Sequence, residues 1–170
     1  MPTLLFVHGT PGSWDAFAAY LRNKELLQRF RIISIDRPGF GYSDFGNAMN
    51  MTEQTKIISA WMDSVYNGKP FVLIGHSMGG PMVVKLAAAR PAYTKALLIL
   101  AGSMDPAAEK PEKWRPALFK TPLKYLVPGA FRPSNEELWY LKTDLKEMQP
   151  DYQKITCPVY ILHGKKDMLV

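Results

Sequence analysis

The chain has 170 residues, of which 47% are hydrophobic and 21% charged, with 21 Lys and Arg against 15 Asp and Glu and a formal net charge of +6. This length fits one domain, and this composition excludes a disordered chain, a collagen-like repeat and a coiled coil. The basic excess is scattered, whereas a nucleic-acid binder clusters its basic residues on one face, so we expect no nucleic-acid partner.

Five short apolar runs predict buried β-strands. Each run is apolar on both faces rather than alternating, which is typical of a parallel sheet covered by helices on both sides. In chain order the runs are 4–7, 32–35, 71–74, 96–100 and 159–162. Between them, apolar residues recur at helical spacing over 14–21, 57–65 and 82–90. Alternating strands and helices predict an α/β fold with right-handed crossovers.

Residues 104–155 interrupt this alternation, because they contain no strand pattern. Their second half carries an apolar stripe at helical spacing, at Leu138, Leu141, Leu145 and Met148. Before it, Ser134-Asn135-Glu136-Glu137 is typical of a capping box at the start of a helix. We predict that 104–155 is a helical lid within a single domain that covers residues 1–170.

The third strand pattern leads into Gly75-His76-Ser77-Met78-Gly79, which matches G-x-S-x-G and opens a predicted helix. In this context the serine lies on a tight strand-to-helix turn that projects its hydroxyl, and the flanking glycines let strand and helix approach closely. We therefore predict Ser77 to be a nucleophile held at positive φ. The alternative is a tight turn in which the serine is incidental.

A second motif, His8-Gly9-Thr10-Pro11-Gly12, follows the first strand pattern. Acyl transfer needs two donors for the developing oxyanion. One is the N–H of Met78, and the N–H of Thr10 is the other if the first strand lies beside the third. We predict a cis Thr10–Pro11 bond, which would aim the Thr10 N–H into the site. His8 is interpreted as a support for this loop and not as the general base.

These motifs resemble the α/β-hydrolase superfamily, and in particular its small lid-bearing serine hydrolases. The resemblance also rests on Asp36-Arg37-Pro38-Gly39-Phe40-Gly41-Tyr42-Ser43 and His163-Gly164-Lys165-Lys166-Asp167, in the order expected of the family. It implies the strand order 2-1-3-4-5, with Thr10 and Ser77 at the point where strand order reverses, which is where open α/β sheets bind ligands. It also implies a small-molecule acyl substrate, such as a carboxylic ester, and no cofactor or metal.

For the motif from Asp36 to Ser43 we expect a structural role, with Phe40 and Tyr42 closing one wall of the pocket. The resemblance assigns the triad acid to Asp167, after the last strand. Asp105, after the fourth strand, is the alternative, because some relatives carry the acid there.

The third member of a triad is a histidine, and the resemblance implies that it follows the acid in the chain. The three histidines, His8, His76 and His163, belong to other motifs. We therefore expect the general base beyond residue 170, and both ends look cut relative to the family. The alternative is a non-catalytic ligand-binding or receptor module of the same fold. The last strand would then be an open sheet edge, to which a second copy could pair.

The single cysteine and the apolar runs bear on the cellular compartment of the protein. Cys157 cannot form an internal disulfide, which suits a reducing compartment. The apolar runs are too short to span a membrane, and no basic segment precedes the first one as in a signal peptide. These features favour a cytoplasmic protein and offer no sign of a membrane partner.

Overall fold

The predicted strands form one parallel sheet in the computed structural model, which describes residues 1–46, 48–129, 131–165 and 167. The strands are β1 (Thr3–Val7), β2 (Arg31–Ile35), β3 (Phe71–His76), β4 (Thr94–Leu100) and β5 (Val159–Leu162). Their order across the sheet is β2-β1-β3-β4-β5, and every neighbouring pair is parallel. This confirms the predicted α/β fold and its strand order.

The described residues contain six α-helices. They are α1 (Ala18–Leu21), α2 (Lys24–Arg29), α3 (Met51–Val65), α4 (Gly79–Ala89), α5 (Arg115–Phe119) and α6 (Phe131–Glu147). Short 3₁₀ turns lie at Trp14–Phe17, Pro91–Tyr93, Pro122–Leu126 and Gln149–Lys154. α3 begins with a true capping box, because the Asn50 side chain accepts from the Glu53 N–H and the Glu53 side chain accepts from the Asn50 N–H. The three predicted helical segments are confirmed.

Both faces of the central strands are buried, as the continuous apolar runs predict. Leu5 and Leu73 pack on one face against residues of α3, α4 and α6. Leu4 and Phe6 pack on the opposite face, where Phe17 covers them. Side chains alternate along a strand, so a run without polar residues can fill a core on each side of the sheet.

Residues 104–155 are helical wherever they are regular, and no strand occurs among their described residues. Leu141 and Leu145 are fully buried against the main core, which confirms the predicted stripe on α6. The predicted capping box at Ser134 is wrong, because α6 begins three residues earlier, at Phe131. Pro133 is compatible with this earlier start, since the N–H groups of a first helical turn have no partner within the helix.

The edge of the sheet formed by β5 is open and exposed among the described residues. All four residues of β5 are exposed, with Ile161 66% accessible, and no described strand pairs with its outer side. An apolar, unpaired edge favours pairing with another strand, so dimerisation through β5 stays a prediction. Among the described residues, none of the helices combines the length and the apolar character that crossing a membrane would require.

Candidate active site

Ser77 occupies a strained turn between β3 and α4. Its φ is 51°, in the left-handed region that non-glycine residues rarely adopt, which confirms the predicted positive φ. The Ser77 N–H donates to the Leu100 carbonyl at 3.0 Å, and the Ser77 carbonyl accepts from the Gly80 N–H at 2.8 Å. These bonds tie the turn to β4 and to the first turn of α4, so the surrounding structure maintains the strain.

Two glycines allow this turn to form, because backbone lies where their side chains would be. A Cβ on Gly75 would lie 2.1 Å from the Gly79 carbonyl oxygen. A Cβ on Gly79 would lie 2.1 Å from the Val7 carbonyl oxygen. The glycines of the G-x-S-x-G pattern are therefore required where β1, β3 and α4 meet.

The loop after β1 packs directly on the nucleophile turn. A Cβ on Gly9 would lie 2.9 Å from the Ser77 Cβ, so the Gly9 backbone and Ser77 are in contact. The Thr10–Pro11 bond is cis, as predicted. Met78 is buried and is the N-cap of α4. The structure thus brings together Ser77 and the two backbone segments that carry the predicted oxyanion donors, Thr10 and Met78.

His8 is completely buried, and both of its ring nitrogens are hydrogen-bonded to the main chain. The Arg37 N–H donates to Nε2 at 3.0 Å, so Nε2 carries no proton and Nδ1 donates to the Gly9 carbonyl at 2.7 Å. Burial, and after it the positive charge of Arg37, lower the pKa of His8 from its usual 6.5 to about 4. The neutral ring supports the loop, as predicted.

The state of His8 predicts how stability changes with pH. Between about pH 4 and the usual value of 6.5, the unfolded chain binds a proton that the folded chain rejects. The contribution of His8 to the free energy of unfolding is therefore complete above pH 6.5 and is lost as pH falls towards 4, by about 3 kcal/mol at 1.36 kcal/mol per pKa unit. The free energy of unfolding, measured with urea at several values between pH 4 and 7, should therefore rise with pH.

Asp144 on α6 has the opposite effect on stability as pH rises, and it supplies the control. It is buried and accepts from the Met51 N–H at 3.3 Å. Burial raises its pKa, and the nearby carboxylates of Glu147 and Glu137 add to this while the Met51 hydrogen bond opposes it, so that the pKa is about 6. Its contribution is complete below its usual pKa of 3.8 and is lost as pH rises towards 6. Asp144→Asn should therefore steepen the rise of the free energy of unfolding between pH 4 and 7. An unchanged slope would contradict the raised pKa of Asp144.

Arg37 connects this loop to α6, and sequence reasoning missed the connection. Its buried guanidinium donates to the His8 and Gly9 carbonyls, both at 3.0 Å. It also donates to Gln54 Oε1 at 2.9 Å and binds both carboxylate oxygens of Glu137, one of them at 2.9 Å. Arg37 and Glu137 lie 100 residues apart in the chain. A buried arginine requires a carboxylate partner, but no local pattern indicates which one.

The turn that follows β2 is also structural, as expected. Asp36 accepts from the N–H groups of Trp14 at 2.7 Å and Tyr42 at 2.9 Å. Phe40 is buried, with its ring 4.5 Å from the Arg37 guanidinium carbon. Tyr42 is 93% exposed. The expectation that Phe40 and Tyr42 form a pocket wall is therefore wrong, because one ring packs inside the protein and the other faces solvent.

The two candidate acids lie at the same edge of the sheet as Ser77, because β3, β4 and β5 are parallel. Asp167 is exposed on the turn after β5, where its N–H donates to the Gly164 carbonyl at 3.0 Å. Asp105 follows β4, and its Oδ1 accepts from the Ala107 N–H at 2.7 Å. The Asp105 carboxylate therefore stabilises its own turn, and the choice of Asp167 as the acid stays a prediction.

Comparisons with known proteins identify the family of the fold. A protein-family model described as the alpha/beta hydrolase fold matches residues 2–134. A 1-acylglycerol-3-phosphate O-acyltransferase of Arabidopsis thaliana is 39% identical over 123 residues, which cover 66% of this chain and 27% of the acyltransferase. A mitochondrial palmitoyl-protein thioesterase of Mus musculus is 30% identical over 183 aligned positions, which cover 99% of this chain and 60% of the thioesterase. The chain thus spans only part of the curated relatives that it matches.

Solved structures share the fold over almost the whole chain. The crystal structure of a lipase-esterase related protein from Clostridium acetobutylicum superposes with a TM-score of 0.68 and 20% identity, covering 98% of this chain and 76% of that one. Proteins similar to this chain in sequence include an esterase/lipase, thioesterases and acyltransferases. The match of the family model over most of the chain, together with the sheet order and the strained serine turn, shows that this protein belongs to the α/β-hydrolase fold family.

Proposed function

We propose that this protein is a serine hydrolase that acts on carboxylic esters or related acyl substrates, with Ser77 as the nucleophile. The observation that carries the proposal is the left-handed backbone of Ser77, with the Gly9 backbone packed against its Cβ. Residues held in such sparsely populated backbone regions cluster at active sites, where the surrounding structure maintains them. The nucleophile turn of acyl-transfer enzymes with this fold is strained in the same way.

The proposed oxyanion site consists of main-chain donors. The Met78 N–H belongs to the start of α4, where N–H groups have no partner within the helix and the helix dipole favours negative charge. The Thr10 N–H is proposed as the second donor, from the loop that contacts Ser77. Two fixed donors stabilise the tetrahedral intermediate without reorganisation during the reaction.

The chemistry proceeds in two steps. The Ser77 oxygen adds to the acyl carbon while a base takes its proton, and the alcohol leaves with that proton, so that an acyl-serine ester remains. Water, activated by the same base, then adds to the acyl carbon and releases the acid and the free serine. The proposed reaction uses neither a cofactor nor a metal.

The base in this proposal is a histidine beyond residue 170, oriented by Asp167. His8 is unsuitable, because the Arg37 N–H already occupies the lone pair of its Nε2. His76 is the last residue of β3, directly before Ser77, and His163 follows β5, and the proposal makes neither of them the base. A base must come within hydrogen-bond reach of the serine hydroxyl, and a histidine after Asp167 matches the triad order of the fold.

The substrate class is proposed from the site and from the relatives together. The acyltransferase and the thioesterase named above both handle acyl groups, as their names state. A serine nucleophile with two N–H donors suits ester and thioester carbonyls alike, whereas lactones and carbon–carbon bonds are less direct alternatives. We propose acyl esters and thioesters as the class of substrate.

Steady-state hydrolysis of a series of chromogenic esters, from acetyl to palmitoyl, by the full-length protein tests the proposal. We expect saturable hydrolysis with one preferred range of acyl length. Binding of an acyl ligand without any turnover, at any chain length, would favour a non-catalytic binding module of the same fold.

A further inference from the structure

A buried ion pair lies behind the loop that carries Thr10. The side chain of Arg37 has no exposed surface, and that of Glu137 is 6% exposed. Replacement of such a pair by apolar residues is often neutral or stabilising, because desolvation of the charges offsets their attraction. Stability alone is therefore a weak reason for the presence of this ion pair, and its other contacts indicate its role.

Every N–H group of the Arg37 guanidinium has an acceptor. Nε donates to the His8 carbonyl, and the two terminal nitrogens donate to Gln54, to the Gly9 carbonyl and to both oxygens of Glu137. Gln54 in turn donates to Glu137 at 2.8 Å. Since a guanidinium has five donors in one rigid plane, these contacts fix both its position and its rotation.

The contact with Gly9 determines where the Thr10 N–H points. The Gly9 carbonyl and the Thr10 N–H belong to one peptide group, and this peptide is not among the cis bonds of the described residues. In a trans peptide the carbonyl and the N–H point in opposite directions. Arg37 Nη2 and His8 Nδ1 hold the Gly9 oxygen on the interior side, so the Thr10 N–H points away from the interior.

We infer that Glu137 and Arg37 are positioning residues for the oxyanion site, through which α6 sets the direction of the Thr10 N–H. This inference rests on the proposed function for its catalytic consequence. Glu137 orients the guanidinium, the guanidinium holds the Gly9 carbonyl, and the rigid peptide passes that orientation to the donor. A helix of the predicted lid segment thereby controls a donor at the nucleophile.

The test compares three variants of the full-length protein. Glu137→Gln keeps the shape of the side chain but removes its charge. Arg37→Met combined with Glu137→Met removes both charges, so no unpaired charge remains buried. Glu147→Gln, an exposed carboxylate on the same helix outside the network, is the matched control. Urea unfolding of each variant separates folding from function.

We expect Glu137→Gln and the double variant to lower kcat by about 10²-fold, in the range seen when one oxyanion donor is lost, with little change in KM. The Glu147→Gln control should keep the kcat of the unmodified protein. If the double variant has the urea midpoint and also the kcat of the unmodified protein, the pair is merely structural and the inference is overturned.

A second readout does not depend on activity. The backbone amide of Thr10, observed by ¹⁵N NMR, should shift in Glu137→Gln and in the double variant but not in Glu147→Gln. If the unmodified protein is inactive yet the Thr10 amide shifts, the positioning stands and the proposed function fails. If the protein is active and both kcat and the Thr10 amide are unchanged in a folded Glu137→Gln variant, the inference fails alone.

Discussion

Ser77→Ala is expected to lower kcat/KM for ester hydrolysis by about 10⁴-fold or more, because it removes the atom that forms the acyl-enzyme. The variant should fold normally, since alanine adopts φ 51° at a strain similar to that of serine. Only the rate from the oxyanion donors and from binding would remain. Steady-state kinetics with the preferred chromogenic ester measure the loss.

Ser64→Ala is the matched control. Ser64 is an exposed residue on α3 whose hydroxyl donates to the Trp61 carbonyl at 2.7 Å. The same loss of one hydroxyl there should leave kcat/KM unchanged. If Ser77→Ala retained activity comparable to that of Ser64→Ala, the nucleophile would have to be a different residue.

Gly79→Ala is expected to reduce the free energy of unfolding by about 3 kcal/mol or more, the upper range for overpacking of a core. The added Cβ would lie 2.1 Å from the Val7 carbonyl oxygen and 2.9 Å from the His8 carbonyl oxygen. Both atoms belong to the backbone at the end of the buried strand β1, so neither can move without displacing the strand. Urea unfolding of the purified variant measures the effect.

Gly68→Ala separates this steric effect from backbone strain. Gly68 has φ 74°, and no atom lies within 4 Å of the Cβ that alanine would add. Its replacement should therefore cost only about 1 kcal/mol of conformational strain. Equal destabilisation by the two alanines would contradict the close approach of α4 and β1.

The strands and the nucleophile turn could be predicted because each depends on neighbouring residues. An apolar run of four or five residues is long enough to identify a strand buried on both faces. Gly75 and Gly79 are required because backbone atoms occupy the space that their side chains would need. The strain at Ser77 follows from the same turn. The strand order came from resemblance to a family and not from the apolar pattern.

Features that depend on distant residues could not be predicted in the same way. Glu137 appeared to belong to a helix start, whereas α6 begins at Phe131 and Glu137 faces Arg37 from its interior turns. Phe40 and Tyr42 are both aromatic and two residues apart, yet only the fold decides that the first is buried and the second exposed. Long-range pairing of charges and the direction of turn side chains arise from packing, which a single sequence does not display.

In the proposed reaction, Ser77 forms a covalent acyl-enzyme. This step is tested most directly by incubating the full-length protein with a fluorophosphonate ester, digesting it and locating the adduct by mass spectrometry. We predict one adduct per chain, on Ser77, together with complete loss of ester hydrolysis and protection by excess substrate. An adduct on any other residue, or complete inhibition that leaves Ser77 unmodified, would contradict the account.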